Sequence, residues 1–306
     1  MTKSTLSRRA LAFVAASALA LSACGGNSPV ASANDAFVVN GTSYSLDSFE
    51  TLLSDLVKNQ QLEASSNGQA SKKDAVSVMR TLLRYEAYKQ YLVENKLTES
   101  TADRTKVEQQ ATGSEGFSSL PKYLQDLLVN LNVAQVTMEK FKAYSPEKLK
   151  ELYNESPAST GVLCMSHILL KTEKDARSVL KELSDGANFE DVAKKRSIEP
   201  AAKQTGGLLS ADDGKCTDLS YFQQQFDPDF MKGAVAAQPG VPTGPVKTQF
   251  GYHIILNHAY DDIKDSLALI ASAKPSVSNM VGYLATADIS VNPTYGVWNG
   301  AMATID

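Results

Sequence analysis

Apolar residues recur along this chain in two different rhythms. Near the start, Phe37, Val38 and Val39 precede Asn40-Gly41, and Thr42, Ser43 and Tyr44 follow. Asn-Gly supplies the positive φ values of a type I′ turn, so this segment reads as a small hairpin. Beyond it, Phe49, Leu52, Leu53, Leu56 and Val57 return at helical spacing and make a one-sided apolar face. A second helix over about 74–94 carries Val76, Met79, Leu82, Leu83, Ala87, Tyr91 and Leu92. Further helical patterns cover about 102–111 and 120–141. Another starts with Ser145 as N-cap and Pro146 at the first helical position, and stops before Pro157. The region 36–157 is therefore mostly helical. It holds no His, no Cys and no clustered Gly, so catalytic chemistry is not expected there. Its Met, Tyr and Leu stripes read as core, with an exposed binding groove as the alternative.

The rhythm changes at Gly161. Residues 162–170 read as a strand, and 172–183 and 188–196 as helices. A turn at Gly206-Gly207 and a helix near 227–236 come next. A turn from Pro239 to Pro245 and a strand over 253–257 close the segment. Helices and strands mixed within about 100 residues make a compact α+β domain. From about Asp261 the tail is helical, is interrupted at Pro275 and turns extended at Ile289-Ser290-Val291. It shows no core of its own and is expected to pack back onto the N-terminal helices.

The first residues follow neither rhythm. Lys3, Arg8 and Arg9 precede an unbroken small and apolar run over 10–21, the layout of a secretory signal peptide. About a dozen apolar residues are too few to span a bilayer, which takes about 20. The run also lacks the polar face that a buried N-terminal helix would carry. It ends in Leu21-Ser22-Ala23-Cys24-Gly25-Gly26, which resembles the bacterial lipoprotein signal. Small residues let a peptidase approach the backbone, and the thiol takes a diacylglycerol as a thioether. By that resemblance residues 1–23 are removed, Cys24 becomes a lipidated first residue, and 24–35 forms a polar, small-residue tether. Two or more acyl chains anchor stably where one binds only marginally. The Ser7-Arg8-Arg9 step also fits twin-arginine export and leaves the export route open.

Composition narrows the picture. The 306 residues fit roughly two domains. With 43% hydrophobic and 21% charged residues, bulk disorder is excluded. The formal charge is -4, and without residues 1–23, which hold three bases and no acid, 27 basic residues face 34 acidic ones. A mildly acidic chain with no basic block argues against nucleic acid as a partner. Apart from Cys24, only Cys164 and Cys216 remain, and export places them where disulfides are permitted. A bridge would span 52 positions, worth about 4 kcal/mol in the chain-entropy picture. Two unrelated buried thiols are the alternative, because sequence does not give their separation.

Three histidines are present, His167, His253 and His258, and none stands in a His-Glu-x-x-His arrangement. No Gly-x-Ser-x-Gly elbow or phosphate loop occurs either. Zinc and serine hydrolases are disfavoured, and no metal or cofactor is expected. Cys164 and His167 stand three residues apart on one expected strand, which points them to opposite faces and disfavours a Cys-His nucleophile. His167 lies in the first strand of the α+β segment and His253 in the last. Each taken alone is compatible with a satisfied core histidine.

The surrounding residues resemble the parvulin family of peptidyl-prolyl isomerases. The resemblance is carried by Ser166-His167-Ile168-Leu169, by Gly186-Ala187-Asn188-Phe189 with Val192-Ala193 and Ser197, and by Gly206-Gly207. Its most specific part is the run Thr243-Gly244-Pro245-Val246-Lys247-Thr248-Gln249-Phe250-Gly251-Tyr252-His253-Ile254-Ile255. Together these cover 162–258, about a third of the chain. The order of export signal, helical region opening on a Val-Asn-Gly hairpin, parvulin segment and returning tail resembles the SurA/PrsA-type extracytoplasmic foldases.

The resemblance implies an α+β fold with two parts. A helical chaperone-like region, 36–157, is completed by the tail, 259–306. A parvulin domain, 161–258, has a small antiparallel sheet surrounded by helices. The implied activity is isomerisation of X-Pro bonds in secreted polypeptides at the outer face of the cell membrane, with a holdase on a silent parvulin fold as the alternative. Residue by residue, His167 and His253 match the paired central histidines, and Thr248 the threonine beside the second. Glu199 stands where the family has Asp or Cys. Leu209, Phe226 and Phe230 match the residues that hold the proline ring, and Phe250 the pocket edge. Leu208 and Ser210 depart from the Gly-Gly-Asp-Leu-Gly pattern, and the stretch from Gly207 to Phe226 is longer than usual and contains Cys216. A bridge to Cys164 would pin that loop beside the pocket. Lys194, Lys195, Arg196 and Lys203 read as a solvated helix face. The implied partners are folding polypeptides and, through the lipid, the membrane. The sequence does not select a homodimer through the helical region.

Overall fold

Asn40 and Gly41 take φ of 45° and 80° and fold β1 (Asp35–Val39) onto β2 (Thr42–Ser45) with Val39 opposite Thr42. The structure, a computed structural model, describes residues 31–210 and 214–306, so the leader, Cys24 and most of the tether lie outside the described residues. Five helices follow the hairpin: α1 (Leu46–Lys58), α2 (Lys72–Glu94), α3 (Thr101–Thr112), α4 (Lys122–Met138) and α5 (Pro146–Glu155). Four start the same way. Ser45, Ser71, Ser100 and Ser145 each accept a hydrogen bond from the backbone N–H three residues on, satisfying a donor that the first turn leaves unpaired. The apolar stripes of α1 to α4 converge in one core around Phe37, Phe49, Met79, Leu83, Leu124 and Val133.

The strand expected over 162–170 is divided at Cys164 into β3 (Val162–Leu163) and β4 (Met165–Leu170). The reason is a change of partner, since the Cys164 carbonyl accepts from His258 N–H. The chain continues through α6 (Glu173–Ser184), α7 (Phe189–Arg196), α8 (Ala202–Thr205), β5 (Leu208–Leu209) and β6 (Thr217–Asp218). After these come α9 (Leu219–Gln225), α10 (Pro228–Ala236), β7 (Thr243–Thr248) and β8 (Gly251–Asn257). β3 pairs with β6, whereas the four-stranded antiparallel sheet has the order β5-β4-β8-β7. The turn expected up to Pro245 is shorter than that, because β7 begins at Thr243. Pro245 is accommodated on an edge strand, at a register shift between Thr243 and Val246.

Alternation along the strands sorts this domain into layers. Ile168, Leu170 and Ile254 face α6 and α7, where they meet Ala176, Val179, Leu183 and Val192. Met165 and Ile255 face α9 and α10, where they meet Phe222, Phe230 and Met231. The helix α9 has no sequence forecast, since seven residues show too little periodicity.

The tail forms α11 (Tyr260–Ala273), α12 (Pro275–Thr286) and β9 (Ile289–Val291), then β10 (Trp298–Asn299) and β11 (Thr304–Ile305). β9 pairs antiparallel with β1, Val291 opposite Phe37, and completes the sheet β2-β1-β9. Met280 and Leu284 of α12 enter the same N-terminal core. α11 packs elsewhere: Ile263 and Leu267 meet Leu149 and Tyr153 of α5 together with Cys164 and Cys216. No helix among the described residues is long and apolar enough to cross a membrane.

Candidate active site

β4 and β8 run antiparallel with His167 opposite Ile255 and Leu169 opposite His253. The two histidines therefore sit two registers apart on one face of the sheet, as diagonal neighbours. Their rings lie nearly parallel, 17° apart with centroids at 5.3 Å, and Nδ1 of His167 is 3.1 Å from Nδ1 of His253. Both are almost fully buried.

Each ring has a second partner. His167 Nε2 lies 2.5 Å from Glu199 Oε2, and His253 Nε2 lies 2.9 Å from Thr248 Oγ1. Thr248 ends β7 opposite Gly251, and its hydroxyl oxygen also accepts from Phe250 N–H at 3.1 Å. Glu199 is carried by a loop stitched to β4. Ile198 N–H donates to the Leu169 carbonyl at 2.9 Å, and Ser197 Oγ accepts from Leu169 N–H at 3.2 Å and Glu199 N–H at 3.3 Å. At the same strand His167 N–H donates to the Gly207 carbonyl. Gly207 has φ of 84°, and a Cβ there would lie 2.3 Å from the His167 carbonyl oxygen, so only glycine permits this approach.

Glu199, Nε2 and Nδ1 of both rings and Thr248 thus form one hydrogen-bonded chain. The bond from His167 holds the Glu199 carboxyl below its usual range, against partial burial. An ionised carboxylate only accepts, so His167 carries its proton on Nε2. With one proton on each ring, His253 donates from Nδ1 to His167 Nδ1, and Thr248 O–H donates to His253 Nε2. Every ring nitrogen of the pair then has a partner. Burial, and next the proximity of His167, push the His253 pKa down to about 4.

An apolar wall stands against the rings. Phe230 meets His167 and His253 nearly edge-on, with centroids at 5.6 and 5.1 Å. Phe226 lies 5.1 Å from Phe230, and Phe222 5.3 Å from Phe226. Leu209 and Phe226 are half-buried against this cluster, Leu209 because β5 joins β4 with Leu209 opposite Met165. Phe250 is different. Its side chain is 64% exposed, and its backbone N–H makes the contact with Thr248.

The structure joins Cys164 to Cys216 in a disulfide. Its buried neighbours are Leu149, Tyr153, Ile263 and Leu267 rather than the residues of the aromatic wall. Cys24 lies outside the described residues. Among the described residues no group of three or more His, Cys, Asp or Glu is placed to hold a metal ion.

Several contributors were not anticipated from sequence. Phe222 extends the wall from α9. Asp227 caps α10 by accepting from Asp229 N–H at 2.9 Å, and its other oxygen accepts from Gln249 Nε2 at 3.3 Å. On the opposite face of β4, Ser166 Oγ lies 2.9 Å from Nε2 of His258, so the third histidine is bonded outside the pair. An Asp ahead of Pro228 was a readable cap signal, but its link to Gln249 crosses 22 positions.

A known family matches the α+β domain. The family model of the PPIC-type PPIASE domain, or rotamase, matches residues 167–259. The foldase protein PrsA of Clostridium botulinum is 38% identical over 148 residues, covering 46% of this chain and 42% of that protein. The PrsA of Clostridium kluyveri is 36% identical over 137 residues, covering 45% of this chain and 36% of its own. The chain thus spans less than half the length of these curated relatives. Among solved structures, PrsA from Bacillus subtilis aligns at 24% identity over 72% of this chain and 88% of that one, with a TM-score of 0.29. Residues 167–259 are accordingly a parvulin domain of the PPIC type, in a chain homologous over the matched segment to the PrsA foldases.

Proposed function

We propose that this protein is a peptidyl-prolyl cis-trans isomerase and foldase of secreted polypeptides, held by a lipid on Cys24 at the extracytoplasmic face of the membrane. Residues 161–258 would carry the isomerisation, and 36–157 with 259–306 would hold the client chain. The observation that carries this reading is the unbroken chain from Glu199 through His167 and His253 to Thr248, set against the ring of Phe230.

An X-Pro bond rotates through a state that has lost amide resonance. The barrier is about 18–20 kcal/mol, and unaided exchange takes tens to hundreds of seconds. No covalent bond is made or broken, so the protein need only bind the twisted amide better than either planar form. Phe230, Phe226 and Leu209 grip the pyrrolidine and displace water that favours the planar, more polar carbonyl. Glu199 sets the proton on His167, His167 sets it on His253, and Thr248 closes the far end. The rotating carbonyl then meets donors and acceptors whose orientation is settled beforehand. Phe250 lines the outer edge.

The test is cis-trans exchange of a short X-Pro peptide, followed by NMR, with the purified protein and its His167→Ala variant. Acceleration by the parent and its loss in the variant support the reading. No acceleration, with aggregation of an unfolded client still suppressed, replaces it by a chaperone on a silent parvulin fold. An acyl-sized mass on the N-terminal peptide that is absent from Cys24→Ala tests the anchor separately.

A further inference from the structure

Two carboxylates bracket the histidine pair. Glu199 stands at the His167 end of the hydrogen-bonded chain. Asp227 stands at the other end, tied through Gln249 to the turn that also holds Thr248 and Phe250. Asp227 is also placed between Phe226 and Phe230, which form the apolar wall. Its charge reaches His253, where it opposes the larger downward push of burial. Among the described residues, neither carboxylate makes an ion pair with a lysine or arginine.

Four nearby cations are engaged or face away. Lys232 lies 3.7 Å from Asp229, Arg196 is paired with Glu182 at 2.9 Å, and Lys194 is paired with Glu190. Lys247 adjoins Thr248 but points to the opposite face, where its cross-strand partner Tyr252 packs beside α6. A peptide lying across the pair therefore meets negative charge at both ends.

We propose that Asp227 is a specificity-determining residue that favours basic residues, and disfavours acidic ones, beside the client proline. This rests on the isomerase reading above. A neutral apolar wall by itself would not distinguish lysine from glutamate. A carboxylate at its edge would, and its effect would fade with salt because the site is open to water.

The test uses two peptide series, Ala-X-Pro-Phe and Ala-Ala-Pro-X, with X as Lys, Ala or Glu. Exchange rate and NMR-titrated affinity are both measured for the parent, Asp227→Asn and Asp229→Asn. Asparagine retains the N-cap bond, so Asp227→Asn removes charge while leaving α10 capped. The expected result is a Lys over Glu preference of about fivefold in at least one series at low salt. It should shrink to less than about twofold in Asp227→Asn, and persist in Asp229→Asn. A flat series, or a preference that both variants lose equally or both retain, overturns the proposal. If no peptide is accelerated, the isomerase reading fails, and the affinity ratios still decide the role of Asp227.

Discussion

His167 and His253 meet Nδ1 to Nδ1 at 3.1 Å, an arrangement in which one ring must donate and the other accept. The direction of that bond is decided at the ends, by a carboxylate that only accepts and a hydroxyl that can donate. Removing either end should change the protonation pattern of both rings.

Glu199→Gln should separate charge from geometry. Its amide oxygen can still accept from His167 Nε2, so the site remains assembled while the charge is lost. Isomerisation should fall roughly three- to tenfold, about 0.7–1.4 kcal/mol. Glu199→Ala should fall further, and nitrogen-15 NMR of the imidazoles should show mixed tautomers in that variant. Rates equal to the parent in both would remove Glu199 from the chain.

Thr248→Val keeps the volume near the ring and takes away the donor to His253 Nε2. A buried acceptor left unpaired costs about 1–3 kcal/mol. Urea unfolding should show a loss of that size, and Thr248→Ser should recover most of it. A valine variant as stable as the parent would mean that Nε2 has another partner.

Stability should rise with pH through the histidine range. His253 is pushed down to about 4 in the folded protein, from an ordinary value of 6.5. Between those values the unfolded chain binds more protons than the folded one, so protonation favours unfolding. The contribution is complete above about pH 6.5 and is lost as pH falls toward 4. Glu199, also depressed, acts with the same sign below its ordinary value of 4.5. Urea midpoints at pH 7.5, 5.5 and 4.5 should fall in that order, with a shallower slope between pH 6.5 and 4 in His253→Gln.

Gly207→Ala should be costly. Its φ of 84° and the 2.3 Å approach of a Cβ to the His167 carbonyl oppose any side chain, for a loss of about 2–4 kcal/mol. Thermal melting should show it, whereas Gly186→Ala, with nothing within 4 Å of its Cβ position, should cost less despite its positive φ.

The Cys164–Cys216 bridge should reveal itself by mass. Reduction should add two hydrogens to the intact protein, and the double Cys→Ser variant should lose about 2–4 kcal/mol. An unchanged mass after reduction under unfolding conditions would show that the thiols are free.

What could be read from sequence alone was local. The Asn40-Gly41 turn, the Ser145 cap and the Pro146 start depend on atoms within about three residues of each other. Backbone sterics and capping bonds therefore specify them before any packing occurs. His167 and His253 were legible as a pair only through the motifs around them. Tertiary structure decided their partners. The 3.1 Å contact crosses 86 positions and the Glu199 contact 32, and both depend on β8 pairing beside β4 in one register. The break at Cys164, the start of β7 at Thr243 and the pairing of β9 with β1 have the same origin. Strands and their hydrogen bonds are settled by which neighbour the folded chain brings alongside, and that choice is made by packing rather than by residues adjacent in sequence.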